Sequence, residues 1–417
     1  MSEIVDITKF GVNVRSEYGH LNAVLLHRPG VEIERMTPAT ANDALYSDIL
    51  CKHIVDNEYA NFCGVFEKWT KVFYVEDLLA QLMDMPEVRK EMVLECCRLD
   101  ECDFLVDYLM QMDSRSLAKG LIEGVDYREG VDPKQFAEAR YTLKPLYNLF
   151  FTRDASSSVY NEVLINSMSF RVRQRETVIY RAIFKYIFKA NTICAMDADP
   201  EGRTEGGDVQ IAGPDFLCIG QGIRTNPKGI NYLAEKFAKE RPQFRILTQE
   251  LPHHPDSFIH LDMVHTFLGA HDLMVYKPMI EKSGLFAGKA TTLITCDNGK
   301  ISYKEMPNML EGLKACGMEM QPVFCGGGDL WYQDRDQWHS GANFFALDDG
   351  KVIGYERNLH TIEALNKAGF DVLPAEDVCS GKINMHDYKK FVVTFKAGEL
   401  PRAGGGARCM TMPINRD

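Results

Sequence analysis

The stretch "KVIGYERNLHTIEALNKAG" (351–369), with "KFVVTF" (390–395) after it, decides the fold class. "KVIGYE" (351–356) and "KFVVTF" are short, rich in β-branched and aromatic residues and bounded by breaker residues, the pattern of buried strands. Between them "TIEALNKAG" (361–369) spaces its apolar residues as a helix does and ends on Gly369, a residue type that closes helices. The same alternation spreads outward. "LNAVLLH" (21–27), "SVYNEVLIN" (158–166), "DFLCIG" (215–220) and "DLMVY" (272–276) read as strands, and "GINYLAEKFAKE" (229–240) and "MLEGLKACG" (309–317) as helices. Strands alternating with helices predict an α/β architecture. No fixed-period repeat of similar sequence and no low-complexity segment is visible.

Residues 75–143 break this rhythm. "EDLLAQLMDM" (76–85), "PEVRKEMVLECCRLDECDFLVDYLMQMD" (86–113) and "SRSLAKGLIEGV" (114–125) carry apolar residues at helical spacing and few strand signals. Pro86 suits the first turn of a helix and Ser114 an N-cap. The chain is therefore divided into an α/β body, residues 1–74 and 144–417, and an all-helical insertion, residues 75–143, whose methionines read as packing.

Composition narrows the function. Of 417 residues, 45% are apolar and 25% charged, as in ordinary globular proteins. The net charge of −12 argues against nucleic acid as a partner and mildly favours a cationic ligand. No apolar run is long enough to cross a membrane, and "MSEIVDITKF" (1–10) does not resemble a secretory signal. Twelve cysteines without a C-x-x-C pair read as reduced thiols of the cytoplasm rather than a disulfide framework or zinc site.

Five polar clusters interrupt the apolar runs. "GGGARCMTMP" (404–413) places Cys409 behind three glycines, a setting that lets a thiol approach another group closely. "NLFFTRD" (148–154) ends in Arg153 and Asp154, and "EGGD" (205–208) sets Glu205 and Asp208 around two glycines. "HLD" (260–262) embeds His260 and Asp262 in an apolar run; if it is a strand, both project from one face. "RVRQRET" (171–177) alternates Arg171, Arg173 and Arg175, as a solvated strand face would. Each cluster alone also has a structural reading: a self-satisfied His–Asp pair, an acidic turn, a surface ion pair, an inert buried thiol. Together they support a cysteine nucleophile with His260 as its base and Glu205 to orient that base. Asp154 and Asp262 exceed what thiol chemistry requires unless the electrophile is itself a cation. A guanidinium, with five N–H donors in a planar fork, matches two carboxylates.

These motifs, with "RSEYGHLNAVLLHRPG" (15–30), "GIRT" (222–225), "RDQWHSGANFFAL" (335–347) and "VIGYERN" (352–358), resemble the guanidino-group-modifying enzymes, and closely the arginine deiminase family, almost from end to end. The resemblance implies a pseudo-fivefold α/β propeller of ββαβ-type modules with a helical insertion. It implies hydrolysis of L-arginine to citrulline and ammonia, with agmatine, methylarginine or ornithine-forming chemistry as alternatives. Cys409 then resembles the nucleophile, His260 the acid/base, Glu205 its partner, and Asp154 and Asp262 the guanidinium holders. Asn148, Phe151, Arg173 and Arg224 fall where the family recognises the amino-acid end of arginine, and Asp208 supports the site. The family often has an arginine five residues before the nucleophile, where this chain has Gly404; its role is assigned to neither Arg402 nor Arg408. No metal or organic cofactor, no nucleic-acid or membrane partner, and a homo-oligomer in the cytoplasm complete the expectation.

Overall fold

The computed structural model describes residues 10–126 and 141–417. Its strands form five sheets. The same unit lies at the heart of each: an antiparallel pair whose second strand pairs in parallel with a third, helix-connected strand. In the sheet holding the chain termini, Met412–Arg416 runs antiparallel to Leu21–Leu26, which runs parallel to Lys71–Tyr74. Ser156–Val159, Glu162–Ile165 and Asn191–Ile193 repeat the pattern. So do Val209–Gly213, Phe216–Gln221 and Gln243–Glu250, and His265–Phe267, Asp272–Val275 and Gln321–Phe324. In the fifth sheet Phe345–Asp348, Lys351–Tyr355 and Phe391–Phe395 do the same, and Asp371–Pro374 joins the outer edge of Phe391–Phe395. The α/β reading holds, and the five similar units lack a shared sequence because only their apolar periodicity is common.

Local chemistry sets the connecting helices. In the third unit Pro227 opens the helix Pro227–Glu240, and the Asn226 side chain accepts from Gly229 N at 3.0 Å, satisfying an otherwise orphaned donor. Its apolar face carries Ile230, Leu233 and Phe237 onto the sheet beneath. Burying Phe237 contributes about 1.5–3 kcal/mol. Gly317 and Gly369 both take positive φ just past their helices, as their positions in the sequence suggest.

Four sequence expectations change. "SVYNEVLIN" is a hairpin, Ser156–Val159 and Glu162–Ile165, turning at Tyr160 with φ 61°. "HLD" is one 3₁₀ turn, Leu261–Met263, because Asp262 N donates to Gly207 O and Leu261 N to the Asp208 carboxylate instead of to a strand. "RVRQRET" is a 3₁₀ turn running into the helix Gln174–Ala182; Arg173 and Arg175 are buried and ion-paired, and only Arg171 faces solvent. Asp113, not Ser114, caps the helix Ser114–Glu123, since its carboxylate accepts from Arg115 N and Ser116 N. Pro86 does open the helix Pro86–Leu99.

Helices occupy residues 75–123, while 127–140 of the expected insertion lie outside the described residues. The helices share one core with Leu25, Phe73, Ile179, Phe184 and Ile414 of the α/β body, so their apolar contacts continue into it without a break. All twelve cysteines are free. No helix among the described residues is long and apolar enough to cross a membrane, and those residues hold no cluster of metal-ligating side chains.

Candidate active site

At least one candidate side chain stands just ahead of the first strand of every unit. Asp154 precedes Ser156–Val159, Glu205 and Asp208 precede Val209–Gly213, and Asp262 precedes His265–Phe267. Asn343 precedes Phe345–Asp348 and Cys409 precedes Met412–Arg416. A cleft of about 510 Å³ receives Asn148, Phe151, Asp154, Arg173, Arg224, His260 and Cys409 on its wall. Glu205, Asp262 and Asp208 stand behind that wall, fully buried.

The glycines allow this crowding. A Cβ at Gly406 would lie 2.6 Å from Asn343 Oδ1, and one at Gly207 would collide with the His260 ring. Only a bare backbone lets the cysteine and histidine loops close. Cys409 Sγ then sits 3.3 Å from Asn343 Nδ2 and 3.7 Å from Asp262 Oδ2. Burial, reinforced by the charges of Asp262 and Asp154, pushes the thiol well above its ordinary range, against the weaker pull of the Gly406 N–H and Arg408.

His260 Nε2 meets Glu205 Oε2 at 2.9 Å, and Nδ1 points to Asp154 Oδ1 at 3.9 Å with no hydrogen-bond partner in the protein. Burial alone would depress this histidine. The Glu205 hydrogen bond and the charges of Asp154, Asp208 and Glu205 outweigh it and push it up to about 9. A histidine so raised favours the imidazolium at neutral pH, and its unpartnered Nδ1 then carries a proton toward Asp154. Burial would also raise Glu205, but Arg224 and His260 hold it far below the carboxylate range. Asp208 is raised to about 7, mainly by burial; its Oδ1 accepts from Leu261 N at 2.9 Å, so it braces the histidine loop from outside the cleft.

The two arginines differ in how much they can offer a ligand. Arg173 gives Nη1 to Asp154 Oδ2 at 2.6 Å, Nε and Nη2 to Glu176, and Nη2 also to Asn148 O, so it holds Asp154 in place. Arg224 gives Nη1 to Glu205 at 3.0 Å and lies 4.5 Å over the Phe170 ring, while its buried Nε has no hydrogen-bond partner in the protein. Asn148 Nδ2 donates to Ala44 O, and Phe151 packs on Phe150 with centroids 4.2 Å apart. Neither loop arginine enters the cleft: Arg402 pairs with Asp48 at the surface, and Arg408 is buried behind the cysteine.

Sequence reading missed Asn343, Glu176 and Glu17. Asn343 had a usable signal, a polar residue directly before the apolar run "FFAL" (344–347). Glu176 emerges once "RVRQRET" is read as a helix, three residues after Arg173. Glu17 lies in "RSEYGHLNAVLLHRPG" (15–30), a stretch that carries the family resemblance but gives no sign of which residue the acid meets.

A fold of five antiparallel-plus-parallel units, with a thiol, a histidine and paired carboxylates at one cleft, defines an enzyme for cationic carbon–nitrogen groups. Residues 43–416 match the model of the arginine deiminase family. The chain belongs to the arginine deiminase family, whose enzymes act on guanidino C–N bonds. Solved structures share the fold. SxtG, an amidinotransferase of Microseira wollei from saxitoxin biosynthesis, matches at 17% identity and TM-score 0.55, over 97% of both chains. The N-terminal domain of ArgZ, an arginine dihydrolase of the cyanobacterial ornithine–ammonia cycle bound to product, matches at 13% and 0.52, over 94% of this chain and 97% of that one. A variant of AgrE in complex with L-arginine matches at 13% and 0.51, over 95% of this chain and 40% of that one.

Proposed function

We propose that the chain hydrolyses L-arginine to L-citrulline and ammonia through an S-alkylthiouronium on Cys409. One observation carries the reading: a buried thiol 3.7 Å from the Asp262 carboxylate, with burial and the charges of Asp262 and Asp154 opposing its ionisation, a setting that a bound cation would relieve. Entry of the substrate guanidinium offsets both carboxylates and releases the thiol proton to the departing water. The sulfur attacks the guanidinium carbon, forming a C–S bond and a neutral tetrahedral adduct. His260 passes its Nδ1 proton to one nitrogen, the C–N bond breaks, and ammonia leaves. Neutral His260 then takes a proton from water, hydroxide adds to the thiouronium carbon, and the C–S bond breaks to return the thiolate. The remaining hydroxyl proton passes to solvent, where it turns the released ammonia into ammonium, and the product is citrulline. Asp154 and Asp262 hold the nitrogens throughout and localise charge as the carbon becomes tetrahedral.

The substrate carboxylate falls to Arg224, whose Nε is free, more than to Arg173, whose donors are largely taken by Asp154 and Glu176. The five units form a pseudo-fivefold propeller in this reading, which explains why each brings a polar side chain to one region. A panel of L-arginine, agmatine and methylarginine, with products identified by mass, tests it. Citrulline and ammonia from arginine, abolished in Cys409→Ala, support it; ornithine, or a transferred amidino group, would replace it with a neighbouring chemistry.

A further inference from the structure

We propose that Glu17 and Arg408 form a positioning pair that aims Asp262 at the substrate guanidinium and keeps it negatively charged. The inference rests on the guanidine reading above and adds two residues to it. Every N–H of the Arg408 guanidinium has an acceptor. Nε and Nη2 grip the two oxygens of Glu17, both at 3.0 Å, a bidentate fork. Nη1 donates to Asp262 Oδ2 at 2.9 Å and faces the carbonyls of Gly206 and Gly207, while Nη2 reaches Val209 O at 2.7 Å. Glu17 Oε1 also accepts from Ile211 N at 3.1 Å. One buried side chain thus bolts the cysteine loop to the "EGGD" loop, the "HLD" turn and the segment at the chain's start.

Two consequences follow for Asp262. Arg408 occupies Oδ2, leaving Oδ1 for the substrate, so the carboxylate presents one fixed edge. Charge matters as much. Asp262 is fully buried, with Asp154 and the Cys409 sulfur beside it, and burial pushes its carboxyl up. Arg408 and His260 are the cations that face it most directly and oppose that rise; Arg153 lies farther off. Glu17 is held down to about 2 against its own burial by Arg408, Arg153 and Arg416, so it stays anionic and shares the charge of Arg408. Removing Arg408 leaves His260 alone to oppose burial and the charge of Asp154, so Asp262 protonates at higher pH and loses its grip on a cation. Removing only the charge of Glu17 lets the field of Arg408 fall more fully on Asp262. The two changes act in opposite directions.

The experiment measures L-arginine binding by calorimetry in the Cys409→Ser protein from pH 5 to 8.5, alone and with Arg408→Met, Arg408→Lys or Glu17→Gln added. The acid limb, where affinity falls as Asp262 protonates, moves up by about one to three pH units in Arg408→Met, since an opposite charge within hydrogen-bond range shifts a carboxyl by that much. Each unit lowers affinity about tenfold on the acid side. Arg408→Lys restores most of the limb, and Glu17→Gln moves it down. Limbs that superimpose, or that move together, overturn the pair. If Arg408→Met lacks a cooperative melt, Glu17→Gln decides alone, and no downward movement overturns the pair. Failure of the Cys409→Ser parent to bind any guanidine would instead refute the site's reading.

Discussion

Glu205→Gln is the sharpest probe of the proton transfers. The carboxylate of Glu205 gives His260 its shortest contact, 2.9 Å from Nε2, and is the largest of the influences that raise it from 6.5 to about 9. The amide keeps the shape and a hydrogen-bonding oxygen but removes the charge. Burial, which acts in the other direction, is unchanged, and Asp154 and Asp208 remain to support the proton. His260 should therefore fall by about 1.5–2 units, at about 1.4 kcal/mol of differential stabilisation per unit. The rate needs the imidazolium, so on its basic side kcat/KM declines as pH rises through the folded value. In the wild type that basic limb lies near 9; in Glu205→Gln it should lie near 7. At pH 8 the protonated fraction then drops from about nine-tenths to about one-tenth, a loss of roughly tenfold from protonation alone. Initial rates of ammonia release, with saturating and sub-saturating arginine between pH 5.5 and 10, read both limbs. A variant that is slower at every pH but keeps its basic limb near 9 would refute the claim that Glu205 sets the charge of His260.

Further outcomes follow from the same geometry. Arg224→Leu should raise KM for arginine at least about tenfold more than KM for agmatine, the value of one charge-assisted hydrogen bond; an equal rise for both would remove Arg224 from carboxylate recognition. Asn343→Ala takes away the donor to Cys409 Sγ and the acceptor for Arg408 N, and should lower kcat about 10- to 100-fold with little change in KM; a full kcat would show that the sulfur needs no such donor. Stability should fall on the alkaline side. His27, between Glu32 and Glu76, and His260 are both raised to about 9, so their contribution is complete below about 6.5 and vanishes as pH rises through 9. Melting temperature should drop between pH 7 and 9.5, less so in His27→Gln, and an unchanged profile would contradict these assignments.

Much of the fold was legible because strands such as "KVIGYE" and helices such as "TIEALNKAG" announce themselves by apolar period alone. "HLD" and "RVRQRET" misled for a physical reason. Local alternation suggested strands, but long-range acceptors decided otherwise: the Asp208 carboxylate and Gly207 O for the first, Asp154 and Asp100 for the second. The chemistry of the site was legible as residue types, since a thiol, a histidine and surplus carboxylates point to a cationic electrophile wherever they meet. That they meet was not. Cys409 and Asp262 are 147 positions apart and Arg408 and Glu17 391, and no periodicity encodes such contacts. Glu17 shows the limit most clearly: its segment carries the family resemblance, yet nothing in it names the arginine that Glu17 grips.

The bond between the Cys409 sulfur and the guanidinium carbon is measured most directly by rapid acid quench of enzyme mixed with L-arginine labelled at the guanidino carbon, followed by intact and peptide mass spectrometry. The expected result is a transient, labelled adduct on the peptide carrying Cys409 that has already lost one nitrogen as ammonia and decays to citrulline at the rate of turnover. Turnover to citrulline with no label ever attached to that peptide, or continued turnover in Cys409→Ala, would contradict it.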